Sequence, residues 1–175
     1  MGFLGMAIRV VGLPLTMIGQ GVAQVYLAEA SALARVDRAS MSRLLRRSLR
    51  RLALIGVIPG VVIVLAGPQL FSLILGPGWR EAGELARLLA PSLLLQFIAV
   101  PVSQTLTILE RQGAQLGWDI SRLVLVCILP LTVHLAGGDL RATVGAYSAA
   151  LAVCYLVLLW LSDRACMTAR DDGSA

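Results

Sequence analysis

Charged residues divide this chain into five long neutral stretches: Val10 to Ala28 with 19 residues, Leu52 to Trp79 with 28, Leu88 to Leu109 with 22, Leu123 to Gly138 with 16 and Ala142 to Ser162 with 21. Together they hold 106 of the 175 residues. A helix rises about 1.5 Å per residue, so about 20 residues cross a hydrocarbon core of roughly 30 Å. The pattern predicts an all-α, polytopic integral membrane helix bundle with spans at about 8–30, 52–75, 86–109, 117–136 and 142–162, followed by a polar tail at 163–175. The fourth stretch is short, and Trp118 and Arg122 just before it extend the span as interfacial anchors.

Between the first and second spans the period changes. Met41, Leu44, Leu45, Leu49 and Leu52 follow the i, i+3, i+4 spacing of one apolar stripe, while Arg43, Arg46, Arg47, Arg50 and Arg51 project from the other side. This predicts an amphipathic basic helix at 38–51 lying on the leaflet, with those five arginines contacting lipid headgroups. Proline and glycine add detail within the spans. Pro14, Pro59, Pro91, Pro101 and Pro130 each remove a backbone hydrogen bond and bend a helix. Gly56 with Gly60, and Gly145 with Ala149, are small-residue pairs that permit close helix approach.

Composition fits the pattern: 58% of residues are hydrophobic, 14% are charged and the mean hydropathy is +0.83. Ordinary soluble domains carry about 25% charge, so a water-soluble enzyme is excluded. Every one of the 15 basic residues is arginine, and seven of them fall between Arg35 and Arg51 against the single acid Asp37. A basic block beside an apolar run marks a cytoplasmic flank, not a nucleic-acid surface. Alternation from that flank puts the N-terminus outside, Gly76 to Trp79 outside, Glu110 to Arg122 inside, Gly137 to Asp139 outside and the C-terminus inside. The small-x-small Ala28-Glu29-Ala30 is not read as a signal-peptide cleavage site, because no positive charge precedes the apolar run and Arg9 interrupts it.

Two polar stripes cross the apolar rods. Arg9, Thr16, Gln20 and Gln24 are spaced 7, 4 and 4 residues apart on the first span; Ser92, Gln96, Ser103 and Thr107 are spaced 4, 7 and 4 on the third. Polar groups facing lipid go unsatisfied, so these stripes face other helices or a water-filled cavity. Arg9, Thr16, Gln20, Gln24, Gln96 and Ser103 are the candidate substrate-binding residues. Catalysis has no visible apparatus: His134 is the lone histidine and has no carboxylate within four positions, and Cys127, Cys154 and Cys166 share no metal-ligand spacing. Neither an enzyme nor a metal or cofactor is expected.

The run from Gly67 to Gly83 (GPQLFSLILGPGWREAG), the following Leu88 to Pro91 (LLAP) and Glu110 to Gln112 (ERQ) resemble the C-terminal part of O-antigen and exopolysaccharide flippases. These belong to the multidrug/oligosaccharidyl-lipid/polysaccharide exporter superfamily. The first span, with Pro14, Ile18-Gly19 and Gln24-Val25 before a basic loop, is similar to the helix that precedes that region. The resemblance implies an inner-membrane transporter that moves undecaprenyl-diphosphate-linked glycan by alternating access of two lobes. It also implies that this chain is part of the second lobe, working with a missing N-terminal lobe or a second copy. An exporter of drugs or lipids from the same superfamily, and a membrane interaction subunit that transports nothing, are the alternatives.

Overall fold

The computed structural model describes residues 17, 19–33, 38–108 and 112–171. They form α1 (19–33), α2 (Arg38–Leu75), a single turn of 3-10 helix (Pro77–Trp79), α3 (Arg80–Ile108), α4 (Gln112–Leu135) and α5 (Leu140–Asp171). No strand occurs among the described residues. Four helices are long and apolar enough to cross a membrane: Ser40–Leu75, Pro77–Ile108, Gln112–Leu135 and Leu140–Met167. The chain is therefore an all-helical protein of membrane character. Of the first expected span, residues 8–16 and 18 lie outside the described residues, which enter it at Met17 and again from Gly19.

Two sharp turns have visible causes. α2 stops at Gly76, whose φ of 101° only glycine adopts readily; its N–H donates to Ser72 O at 3.1 Å, and Trp79 N–H donates back to Gly76 O at 3.0 Å. α4 ends in a Schellman cap. Gly137 has φ 84°, its N–H donates to His134 O at 3.1 Å, and Gly138 N–H donates to Val133 O at 2.9 Å. Asp139 then starts α5, its Oδ1 accepting from Ala142 N–H at 2.8 Å.

Consecutive helices alternate in direction, so α1, α3 and α5 run parallel and α2 and α4 run opposite. Gly19 of α1 sits by Phe97 and Tyr26 by Thr105, both numbers rising along α1 and α3. Gly56 of α2 meets Leu94 and Phe97 while Gly67 meets Gly83, one rising as the other falls. Val144 packs with Leu85 and Leu89, and Ser148 donates to Ser92 Oγ at 3.1 Å, which sets α5 parallel to α3. Trp118 Nε1 donates to Cys154 O at 2.7 Å across the α4–α5 pair. α3 is the central rod, buried along its length against α2 and α5, whereas Trp118 is the one buried residue of α4.

Several boundaries and roles differ from the sequence expectations. The basic segment at 38–51 is not a separate helix: it and the second span are one helix of 38 residues. Nothing between Arg51 and Leu52 breaks the backbone, because no proline, glycine or capping residue stands there. Much of its apolar stripe meets protein. Met41, Leu45 and Leu52 are at most 1% exposed, and Met41 and Leu45 pack with Tyr26, Ala30, Val102 and Cys166. Helix α5 likewise runs on through Asp163 to Asp171, so the expected polar tail begins as helix. α3 and α4 start earlier than expected, at Arg80 and Gln112.

Candidate functional site

Helices α1 and α2 line a cleft of about 450 Å³. One end is apolar, with Val22, Val25, Leu52 and Ile55; the other carries Glu29, Arg47, Ser48 and Arg51. Helical spacing explains the division. Val22, Val25, Tyr26 and Glu29 fall on one face of α1, and Leu44, Arg47, Ser48, Arg51 and Ile55 on one face of α2. Tyr26 closes the floor, its hydroxyl hydrogen-bonded to Thr105 Oγ1 at 2.6 Å, which ties α1 to α3.

The basic residues of α2 do different work. Arg43 Nη2 donates to Ser40 Oγ at 2.7 Å. Arg46 Nε pairs with Asp163 Oδ1 of α5 at 3.4 Å, an exposed contact worth at most about 1 kcal/mol. Arg50 is exposed. Arg47 and Arg51 line the cleft and have no hydrogen-bond or ion-pair partner among the described residues; the same holds for Glu29, although it lines the same cleft. Asp163 belongs to the stretch expected as a polar tail, and nothing in the sequence singles out Glu29 as a cleft residue. Their spacing from the arginines in sequence, 117 residues for Asp163, carries no signal of the contact.

The candidate cavity residues do not converge on this cleft. Arg9 and Thr16 lie outside the described residues. Gln20 and Gln24 are exposed on α1, Gln96 is half-buried on α3, and the half-buried Ser103 donates to Val100 O of its own helix at 2.8 Å. None of Gln20, Gln24, Gln96 and Ser103 lines the cleft. Ser92, the first member of the α3 stripe, is 1% exposed, donates to Leu89 O at 2.8 Å and accepts from Ser148, so it joins helices together.

Elsewhere the polar chemistry is anchoring. Arg122 lies 5.0 Å from the centre of the Trp118 ring and donates to Tyr155 Oη at 3.4 Å, and Arg164 lies 4.1 Å from the Trp160 ring. Arg141 pairs with Glu84 between the starts of α5 and α3. Among the described residues no three His, Cys, Asp or Glu side chains converge as metal ligands would. Comparison with family models, curated proteins and solved structures returned no match.

Proposed function

We propose that the chain is part of the C-terminal lobe of a bacterial inner-membrane flippase for undecaprenyl-diphosphate-linked oligosaccharide, acting with a further lobe or a second copy of itself. The observation that supports this most is the exposure of Gln20 and Gln24 on a helix that continues an apolar run. Amides on a membrane helix do not face hydrocarbon, so that side of α1 borders a polar cavity or another helix. Transporters bind substrate near the midplane between two repeats, and one lobe then presents its polar wall unpartnered. Arg9, on the same stripe, supplies the fixed cation that a diphosphate needs when it leaves water.

The test is lectin protection of a fluorescent polyprenyl-diphosphate-linked oligosaccharide in proteoliposomes, run on the chain alone and on the full product of its reading frame. Transbilayer movement above protein-free vesicles is expected, abolished by Arg9→Ala, partly restored by Arg9→Lys and weakened less by Gln20→Ala. Movement of phospholipid or drug without glycan would transfer the assignment to an exporter of those compounds. Absence of movement of any of them would leave the membrane interaction subunit.

A further inference from the structure

Arg47 and Arg51 stand one turn apart on the same face of α2, about 6 Å along the axis. Like charges at this spacing repel, and helices usually relieve the repulsion with a carboxylate. The neighbouring Arg46 does so with Asp163. Arg47 and Arg51 do not: Glu29 faces the same cleft from α1 and forms no ion pair with either. Two guanidinium groups and one carboxylate thus border a space of about 450 Å³ that none of them fills, within the usual range of small-molecule sites, roughly 300–1,000 Å³. Away from the charges, the walls are Val22, Val25, Leu52 and Ile55, and beyond Ile55 the exposed Ile58 and Leu65 continue an apolar surface along α2.

We propose that this cleft holds one resident membrane lipid of the phosphatidylethanolamine class, its phosphate between Arg47 and Arg51, its ammonium against Glu29 and the start of one acyl chain along Val22, Val25 and Ile55. Charge complementarity selects the headgroup. Guanidinium groups bind phosphate oxygens through forked hydrogen bonds. A primary ammonium donates N–H bonds to a carboxylate; the quaternary ammonium of phosphatidylcholine has no N–H, and phosphatidylglycerol offers Glu29 no cation. The apolar walls select a lipid over a free phosphate ester. The assignment does not rest on transport: a protein that flips no glycan and still retains this lipid separates the two.

Native mass spectrometry of the delipidated full chain in detergent tests the site, with equimolar dioleoyl phosphatidylethanolamine, phosphatidylglycerol and phosphatidylcholine competing. A one-to-one complex with phosphatidylethanolamine should dominate. Arg47→Ala combined with Arg51→Ala should lower its occupancy at least about tenfold, two charge-assisted hydrogen-bonding groups being lost. Glu29→Gln should shift the preference to phosphatidylglycerol. Circular dichroism checks that each variant keeps its helix content, and if the arginine variant unfolds, the Glu29→Gln exchange decides alone. Equal occupancy by the three lipids, preference of the unaltered protein for phosphatidylglycerol, an unchanged preference in Glu29→Gln, or equal retention of free phosphoethanolamine would each overturn the assignment.

Discussion

At the scale of single residues, the tightest constraint is the crossing of Gly67 and Gly83. A methyl group on Gly83 would stand 2.6 Å from Gly67 O and 2.6 Å from Pro68 Cα, both backbone atoms that cannot turn aside. At Gly56 the obstacle is the Leu94 Cδ1 methyl at 2.7 Å, which can rotate, with Phe97 Cδ1 at 2.9 Å behind it. At Gly145 nothing lies within 4 Å. Gly83→Ala should therefore lose about 1–3 kcal/mol, Gly56→Ala less, and Gly145→Ala nothing, gaining up to about 1 kcal/mol of helix propensity. Thermal melting of the three variants in one detergent checks the order. Tyr26→Phe should cost about 1 kcal/mol in the same assay, because Thr105 loses its buried partner.

At the scale of elements, the fate of the basic helix decides between two accounts of the same stripe. A helix lying on the leaflet would spend Met41, Leu45 and Leu52 on lipid; here they are enclosed by protein. Leu45→Ala in the whole protein should accordingly lower stability by about 2–5 kcal/mol, measured by chemical or thermal unfolding, while leaving vesicle affinity in place. A large loss of vesicle affinity without loss of stability would restore the leaflet account. This also marks how far the sequence reaches. The last four neutral stretches each overlap a helix long and apolar enough to cross a membrane, and of the Gly56–Gly60 pair Gly56 is a close approach, because hydropathy and missing side chains are local properties. Gly145 with Ala149 has the same pattern and packs nothing at Gly145, since the pattern permits contact without supplying a neighbour. The stripe of α2 showed that a face was apolar but not what would cover it: hydrocarbon and the side chains of Val102 and Cys166 demand the same pattern. The cleft was half legible. Its arginines were singled out from the sequence, whereas Glu29 joined them only once α1 lay antiparallel to α2.

At the scale of the molecule, the alternation of directions fixes which ends share a side, and the arginine bias supplies the expected absolute sense. Ser40 and Gly78 stand just inside the start and just past the end of α2, whose 38 residues extend about 57 Å. With Cys127, Cys154 and Cys166 replaced, a cysteine at Ser40 should label only from the cytoplasm and one at Gly78 only from outside; the reverse pattern would invert the orientation. The length of α2 has a mechanical side as well. Roughly 30 Å suffices to cross a hydrocarbon core, so α2 is about 27 Å longer than a single crossing requires. Pro59 lies about 31 Å from Arg38 along the axis, and each ~10° of bend at this weakened point swings the tip by about 5 Å. The buried contacts of Met41 and Leu45 with Val102 and Cys166 would pass that travel to α3 and α5. A rearrangement too small to notice around Pro59 would thus be magnified, by leverage alone, into a displacement of several ångströms at the far end of the helix.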